Sequence, residues 1–349
     1  MKALTYQGAN KPPSLNDVPH PQITSATSAI VKLTYTTICG TDTHILSGAI
    51  PSIPSGRILG HEGVGEVAET GPGVTRFKKG DQVLISCITS CGTCISCKQG
   101  MPSHCETGGW ILGNEVDGTQ AEYVECRHAD GSLYHIPEAM KQVERMKKLV
   151  MLSDIFPTGF ECGVLNSKIR PGDTVAIVGA GPVGLAALIT AQFYALKGVF
   201  VVDFDQNRLE VARGFGATHT CTPEEVEEVV RKETGGRMCD AVIEAVGADK
   251  SFESCQGLLA VGGRLANVGV HGGRARLRLE ELWDRNVSIT TRLVDATTTT
   301  QLMSLLQANK LPAEKLITHE YPFKDLEKAY QVFGQAAKEK ALKVLIKMG

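Results

Sequence analysis

The sequence predicts an α/β protein built from two regions of different texture. Up to about residue 150, short β-branched runs such as residues 30–35 and 64–68 are separated by glycine and proline turns, which is typical of a small, partly closed β-domain. From Lys168 onward, strand-like and helix-like segments alternate, which predicts a doubly wound parallel sheet. The length of 349 residues is sufficient for two such domains.

The alternating region begins with a βαβ unit. The pattern predicts a strand at 174–178, a helix at 182–196 and a second buried strand at 198–202. Further strands are predicted at 241–243, 264–268 and 287–290. The last segment, with a helix near 326–333 and a strand at 342–346, is expected to pack back on the first domain. We therefore predict one domain from residues 1–153 and 295–349, and a second from residues 154–294.

Composition excludes several classes of protein. Hydrophobic residues make up 42% of the chain and charged residues 21%, as in an ordinary globular enzyme. The chain has no run of 18 apolar residues and starts without a signal-peptide core, so we expect a cytoplasmic protein without a membrane partner. The 36 basic and 38 acidic residues lack a long basic run, which argues against nucleic acid as a partner. In a reducing compartment, the eleven cysteines are expected to be thiols or metal ligands.

Four cysteines in one short segment predict a structural zinc site. Cys91, Cys94 and Cys97 follow a C-x2-C-x2-C spacing, and Cys105 comes after seven further residues. Four thiolates complete a tetrahedral zinc shell and leave no open position. A bacterial iron–sulfur cluster is the alternative, but it would have three residues in the last gap followed by proline, where this chain has seven and then Glu106.

A second constellation predicts a reactive metal site. Cys39 supplies a thiol, and the adjacent residues His61 and Glu62, from a distant segment, supply an imidazole and a carboxylate. Three protein ligands leave a zinc ion with a position for substrate. Taken singly, Cys39 or His61 fits a core residue equally well, and only their joint setting favours the metal.

A glycine-rich turn follows the first strand of the βαβ unit and predicts a dinucleotide site. The G-x-G-x-x-G residues allow a tight turn, close approach of the backbone to a pyrophosphate and close packing of helix on strand. Asp203 directly follows the second strand, where a carboxylate accepts hydrogen bonds from ribose hydroxyls and favours NAD; its alternative role is to cap the next turn. Arg208 is the argument for NADP, because an arginine there serves a 2′-phosphate. The residues predicted to contact the cofactor are Gly179, Gly181, Pro182, Val183, Gly184, Asp203 and Arg208.

These motifs together resemble the zinc-dependent medium-chain alcohol dehydrogenases over essentially the whole chain. The motifs, in order, are Cys39-Gly40-Thr41-Asp42-x-His44, Gly60-His61-Glu62-Gly63-x-Gly65, the four-cysteine segment, Asp154-x-x-x-Thr158-Gly159 and the glycine turn. The resemblance implies a GroES-like β-rich catalytic domain, a Rossmann-type NAD-binding domain, an active site in the cleft between them and two zinc ions per chain. The tetrameric secondary alcohol dehydrogenase branch is the most similar, because Asp154 stands where dimeric members have a cysteine ligand. That branch can lack the structural-zinc cysteines, whereas this chain has all four. A homo-oligomer follows, with a tetramer favoured over a dimer.

The resemblance also implies a role for each residue of the reactive site. Cys39, His61 and Asp154 would hold the catalytic zinc, which acts as a Lewis acid on the alcohol. Glu62 is either a fourth ligand in some states or a group beside the ligands. Asp154 has a competing role as a helix N-cap.

A proton path and a substrate pocket complete the implied site. Thr41 would accept the proton of the alcohol and relay it through a ribose hydroxyl to His44, whose alternative is an ordinary surface position. Asp42 would orient the imidazole of His61. The pocket would be built from Cys87, Trp110 and Leu293, with simple core packing as the alternative for Trp110.

Three functions fit these residues. The first is an NAD-linked alcohol dehydrogenase acting reversibly on secondary or medium-sized alcohols and the matching ketones or aldehydes. The second is a polyol or threonine-type dehydrogenase of the same superfamily, although those relatives typically have glutamate in the region of Asp154. The third is a non-catalytic NAD-binding or zinc-scaffold protein, against which the intact reactive set argues.

Overall fold

The computed structural model describes all residues from Met1 to Gly349. The chain divides into two compact units, one formed by Met1–Asp154 and Asp295–Gly349 and the other by Ile155–Val294. Each unit has its own sheet and core, and together they confirm the predicted α/β class with a β-rich part and a doubly wound parallel sheet.

Fifteen strands run through the chain. They are β1 Lys2–Thr5, β2 Ser14–Asp17, β3 Ala29–Ile38, β4 Gly63–Thr70, β5 Gln82–Ile85, β6 Tyr123–Cys126, β7 Leu133–His135, β8 Thr174–Val178, β9 Gly198–Val202, β10 His219–Cys221, β11 Cys239–Glu244, β12 Leu259–Asn267, β13 Ser288–Thr291, β14 Ile317–Pro322 and β15 Lys343–Lys347.

The α-helices are short, with α6 the longest at ten residues. They are α1 Gly40–Leu46, α2 Ile95–Lys98, α3 Ala129–Ser132, α4 Val143–Leu149, α5 Ile155–Pro157, α6 Pro182–Ala191, α7 Gln206–Gly214, α8 Val226–Glu233, α9 Asp249–Gly257, α10 Leu279–Leu282, α11 Thr299–Gln307, α12 Leu326–Gly334 and α13 Ala336–Glu339. A π-helical stretch covers Thr158–Leu165. None of the helices combines the length and the apolar character that a bilayer crossing requires.

The first unit is organised by a seven-stranded sheet in which β3 is the central element. The strand order is β14-β15-β3-β4-β5-β7, and β6 also pairs with β3. Strand β3 is long and almost entirely buried because apolar and β-branched residues occupy both of its faces. The C-terminal strand β15 pairs antiparallel with β3, from Val344 opposite Ile38 to Lys347 opposite Tyr35. The end of the chain is thus built into the same sheet as the segment that leads to Cys39.

The second unit is a doubly wound parallel sheet. Its order is β10-β9-β8-β11-β12-β13, and every pairing is parallel. The chain runs outward from β8 to β10 and then crosses back to β11, so the order reverses between β8 and β11. Ligands of such sheets bind at the carboxyl ends of the strands at this reversal.

One element is shorter than the sequence pattern predicts. The helix expected at 182–196 ends at Ala191, and Gln192 is its C-cap. The next residues leave the helix because their backbone bonds to the loop before β8: the N–H of Gly172 donates to Ala195 O at 2.8 Å, and that of Lys197 to Asp173 O at 3.0 Å. An apolar composition by itself did not indicate this termination.

Candidate metal centres and nucleotide-binding turn

The thiol of Cys39 lies at the junction between β3 and α1. Cys39 is the N-cap residue of α1, and its backbone N–H donates to Asp42 Oδ2 at 2.9 Å. Acidic residues at the third helical position commonly cap the N-terminus of a helix in this way. The cap fixes the backbone of Cys39 and at the same time buries the Asp42 carboxylate next to the site.

The imidazole of His61 is held by a close-packed loop before β4. Gly60 has φ +93°, and a Cβ at this position would lie 2.7 Å from Gln120 Cγ. Only glycine fits both the backbone angle and the contact. The turn brings His61 Nε2 to 3.2 Å from Asp154 Oδ2, while Nδ1 faces Asp42 Oδ1 at 3.9 Å.

Three donor atoms from distant segments converge on one point. The ligand atoms of Cys39, His61 and Asp154 all lie within 4.8 Å of one another, and all three residues are buried. Cys39 Sγ is 3.7 Å from Asp154 Oδ2. Tetrahedral zinc with bonds of roughly 2.0–2.3 Å separates its ligand atoms by about 3.3–3.8 Å. The donor types and their spacing therefore fit a zinc ion bound by three protein ligands.

The charge at this point also fits a cation. Burial alone would lower the pKa of His61, but hydrogen bonds with Asp154 and Cys39 raise it well above its ordinary value. Burial raises the pKa of Asp42, against the opposing effect of His61. Without a metal, a proton on His61 would have to balance the surrounding acidic groups. A divalent cation balances them directly and leaves His61 neutral, as a ligand must be.

Glu62 does not join this ligand group. Its Oε2 accepts hydrogen bonds from Lys343 Nζ and Thr37 Oγ1, and the side chains of Glu62 and Lys343 are each 1% exposed. Its Oε1 has no hydrogen-bond partner. In this conformation Glu62 is one half of a buried ion pair through its Oε2, and it is not among the three residues whose donor atoms converge.

Lys343 is a residue of the site that the sequence analysis missed. Burial would lower its pKa, but the Glu62 carboxylate raises it, so its ammonium group is charged inside the protein. The sequence carried a signal for it, because Lys343 interrupts the apolar run from Ala341 to Ile346. A lone lysine within a buried strand requires a partner charge.

The four predicted cysteines form the second donor cluster. All four sulfur atoms lie within 4.8 Å of one another, and Cys91 Sγ is 4.0 Å from Cys97 Sγ. Three backbone N–H groups point at sulfur: those of Thr93 and Cys94 donate to Cys91 Sγ at 3.4 Å, and that of Cys91 to Cys105 Sγ at 3.3 Å. Such N–H groups stabilise thiolates. A closed four-thiolate site fits this geometry.

The pKa values within this loop show why it needs a cation. The hydrogen bond from the Thr93 hydroxyl, followed by that from the Thr93 backbone, lowers the pKa of Cys91 to about 5. Desolvation and the neighbouring cysteines raise the pKa of Cys97 to about 12. Four adjacent thiols cannot all ionise unless a positive ion sits among them.

The glycine turn has the form that the sequence predicts. Gly179 follows β8 with φ +105°, and a Cβ on Gly184 would lie 1.8 Å from Gly179 O. Pro182 is the first residue of α6 after its N-cap, Gly181. Val183, in the first turn of α6, is partly buried. The turn therefore stands at the carboxyl end of β8, beside the reversal of the strand order.

Asp203 joins this turn to the next one. Its Oδ2 accepts a hydrogen bond from Ala180 N at 2.8 Å, and its Oδ1 accepts one from Asp205 N at 2.9 Å. Arg208 lies close by, with NH1 3.9 Å from Asp203 Oδ2 and Nε 3.8 Å from Asp205 Oδ2. Asp203 thus caps the following turn, one of the two predicted roles, while remaining beside the glycine turn.

The remaining predicted residues lie in both units. Thr41 Oγ1 is 3.8 Å from Cys39 Sγ, and His44 is exposed in the same helix. The rings of Trp110 and His61 are edge to face, with centroids 6.4 Å apart. Cys87 is buried, and its N–H donates to Ser153 O at 3.0 Å. Leu293 belongs to the second unit and is 42% exposed.

Comparison with known families gives two matches. The description "Alcohol dehydrogenase GroES-like domain" matches residues 25–138, and "Zinc-binding dehydrogenase" matches residues 182–308. The two matches fall on the β-rich part and the parallel-sheet part respectively.

Individual proteins are similar over the full length. The zinc-type alcohol dehydrogenase B of Aspergillus flavus is 34% identical over 100% of this chain and 82% of its own length. A solved structure of zinc dependent alcohol dehydrogenase 2 from Streptococcus pneumonia has 49% identity and a TM-score of 0.94, covering 100% of this chain and 98% of that one. An alcohol dehydrogenase from Thermus sp. ATN1 has 29% identity and a TM-score of 0.91, with both chains fully covered.

Proposed function

Because this chain belongs to the family of zinc-dependent medium-chain alcohol dehydrogenases, we propose that it transfers a hydride reversibly between a secondary or medium-sized alcohol and NAD. Membership of the family makes the protein an oxidoreductase that uses zinc and a nicotinamide dinucleotide. The observation that carries the proposal is the convergence of Cys39, His61 and Asp154 donor atoms within 4.8 Å.

In this proposal the two donor clusters have different tasks. Cys39, His61 and Asp154 would hold a catalytic zinc, and Cys91, Cys94, Cys97 and Cys105 a structural one. Once bound, the catalytic zinc supplies a Lewis acid for the substrate oxygen, and NAD supplies the hydride acceptor. Asp42 would orient His61 from the Nδ1 side, which supports the use of Nε2 as the ligand atom.

The helix α1 supplies the proposed proton path. Thr41 and His44 are three residues apart in α1 and therefore lie on the same side of the helix. Asp42 and Ile45 occupy the buried side, so Thr41 and His44 lead from the donor cluster toward solvent. The Thr41 hydroxyl would accept the alcohol proton, and His44 at the exposed end of the path would release it to solvent.

The preference for NAD is supported by the charges after β9. Arg208, the group that would serve a 2′-phosphate, lies between Asp203 and Asp205 at 3.9 Å and 3.8 Å. Both carboxylates offset its charge, and both would repel a phosphate placed beside it. A ribose diol is neutral and donates hydrogen bonds to carboxylates. We therefore propose NAD over NADP.

The substrate class is proposed from the surroundings of the donor cluster. Trp110 lies edge to face with His61, so a large apolar ring borders the ligand set. Cys87 is the further proposed pocket residue of this unit. An apolar border favours alcohols whose carbinol carbon bears alkyl groups over polyols, whose hydroxyls would lose their hydrogen bonds to water.

Assembly and location complete the proposal. Strand β13 is the outermost strand of its sheet, and large apolar side chains near it are exposed: Val261 at 72%, Leu279 at 60% and Trp283 at 78%. An open edge with such a border favours pairing with a second copy of the chain. We propose a homo-oligomer, with a tetramer favoured. A cytoplasmic location is supported by the eleven cysteines, none of which forms a disulfide.

The test is a steady-state assay of the zinc-loaded protein with NAD and matched alcohols. Propan-2-ol, butan-2-ol and longer secondary alcohols should give a higher kcat/KM than sorbitol or threonine, and NAD a higher value than NADP. Preferential turnover of sorbitol or threonine would establish the polyol or threonine alternative instead. Absence of turnover with every alcohol in a fully zinc-loaded sample would refute the enzymatic proposal.

A further inference from the structure

A buried chain of hydrogen bonds runs from helix α12, near the C-terminus, to the ligand residues. We propose that Tyr330 and Gln120 are positioning residues: through Asp42 they set the orientation of Cys39 and His61 and so determine the affinity of the catalytic site for its metal. The inference rests on the proposed ligand set. It concerns two residues that neither touch substrate nor bind metal.

The first link joins Tyr330 to Gln120. Tyr330 Oη donates to Gln120 Oε1 at 2.8 Å, and both side chains are buried. An amide has chemically different ends, and a hydroxyl that donates to the oxygen decides which end faces the opposite direction. Tyr330 therefore directs the NH2 group of Gln120 away from α12.

The second link joins Gln120 to Asp42. Gln120 Nε2 donates to Asp42 Oδ2 at 3.0 Å and to the backbone oxygen of Thr37 at 3.1 Å. Both N–H bonds of the amide and its oxygen are thus satisfied inside the protein. A fully satisfied buried amide has one stable orientation, because every rotation would leave polar groups without partners.

The third link reaches both ligand residues. Asp42 Oδ2 also accepts from Cys39 N at 2.9 Å, which fixes the backbone of the thiolate ligand. Asp42 Oδ1 has no hydrogen-bond partner and faces His61 Nδ1 at 3.9 Å. Gln120 in addition packs beneath Gly60, the residue before His61. One glutamine therefore supports both ligands, by a hydrogen bond through Asp42 and by direct packing.

Loss of the Tyr330 hydroxyl should therefore lower the affinity of the site for its metal. Without the hydroxyl, Gln120 Oε1 is a buried acceptor with no partner, and no donor holds the amide in the orientation in which Nε2 faces Asp42. A turned amide presents oxygen to Asp42 Oδ2, and two acceptors repel each other. Asp42 then shifts relative to Cys39 N and His61 Nδ1. Groups that orient metal ligands typically change metal affinity by about 10–100-fold when removed.

The experiment uses the full chain with Tyr330→Phe, which removes only the hydroxyl, and Gln120→Met, which keeps the side-chain volume. The control is Tyr321→Phe, a tyrosine of the same C-terminal segment outside this chain of bonds. Zinc affinity of the catalytic site is measured by chelator competition. The d–d absorption of the cobalt-substituted site reports its geometry, and the zinc retained by the four-cysteine site reports an intact fold.

We expect Tyr330→Phe and Gln120→Met to weaken zinc binding by about 10–100-fold and to alter the cobalt spectrum, with Tyr321→Phe unchanged. The double variant should be no weaker than Gln120→Met alone, because both act through one path. Affinity within twofold of wild type in Tyr330→Phe, or additive effects in the double variant, would overturn the inference. A wild-type protein that binds only one metal ion would instead refute the underlying ligand assignment. If Gln120→Met does not fold, the affinity and spectrum of Tyr330→Phe decide the matter alone.

Discussion

Lys343 and Glu62 form an ion pair in which both side chains are 1% exposed. Glu62 directly follows the proposed ligand His61. Lys343 is the first residue of β15, the last strand of the chain, in the seven-stranded sheet of the first unit. The pair therefore ties the end of the chain to the segment that carries the ligand.

Removal of the lysine should be strongly destabilising. Lys343→Met leaves a buried carboxylate without its counter-charge, which typically costs about 3–5 kcal/mol. Urea unfolding of the zinc-loaded protein measures the change. Lys2→Met, which breaks the exposed Lys2–Asp17 pair, is the matched control and should leave the free energy of unfolding nearly unchanged. Addition of Glu62→Gln to Lys343→Met should recover part of the loss. Equal stability of Lys343→Met and wild type would contradict a charged pair.

Metal content distinguishes the two donor clusters. Elemental analysis should find two zinc ions per chain in the wild type. Cys94→Ser should lose one of them together with thermal stability, because a closed thiolate site contributes folding free energy. His61→Ala should lose the other zinc and the activity while much of the fold is retained. A wild-type content of one zinc, or equal effects of the two substitutions on melting temperature, would refute the two-site assignment.

Cofactor choice tests the charges after β9. Asp203→Gly should raise kcat/KM with NADP relative to NAD, because it removes a negative charge beside the 2′ position. The Asp203 carboxylate also accepts from Ala180 N and Asp205 N, so its loss should loosen the glycine turn and weaken both cofactors. Asp203→Asn is the control that removes the charge and keeps the shape. An unchanged NAD to NADP ratio in both variants would show that Asp203 is only a turn residue.

Arg208→Ala separates the two roles of the arginine. If Arg208 makes no contact with a 2′-phosphate, its removal should produce no large loss confined to NADP, because only a partial offset of the Asp203 and Asp205 charges disappears. A large loss confined to NADP would show that the guanidinium reaches that phosphate. Binding of each reduced cofactor, followed by its fluorescence, provides the measurement independently of turnover.

The proton path makes Thr41 far more important than His44. General acid–base groups typically contribute about 10²–10⁴-fold, so Thr41→Val should reduce alcohol oxidation by that order. His44→Gln should depress the rate mainly near and below neutral pH, where hydroxide is scarce, and imidazole buffer should restore part of it. Both variants must retain catalytic zinc, measured on the same sample. A Thr41→Val enzyme within twofold of wild type would refute the path.

The sequence by itself determined the elements whose signals are local. The bounds of β8 and β9 follow from short apolar runs between turns, and the glycine turn follows from backbone angles and contacts that only glycine permits. The four-cysteine loop is local as well, because its ligands lie within fifteen residues of chain. In each case neighbouring residues contain the whole physical requirement, so the pattern can be recognised without a fold.

Tertiary structure alone decided the groups that distant segments bring together. The sequence proposed Cys39, His61 and Asp154 through a resemblance, but only the fold brings their donor atoms within 4.8 Å of one another. The same folding engages Glu62 with Lys343, 281 residues away, and Gln120 with Tyr330, 210 residues away. A buried charge or amide pairs with whichever polar group lies beside it in the folded protein. The separation of two residues along the sequence does not indicate whether they will lie side by side. The contacts of Lys343, Gln120 and Tyr330 were therefore decided by strand pairing and helix packing in the folded chain.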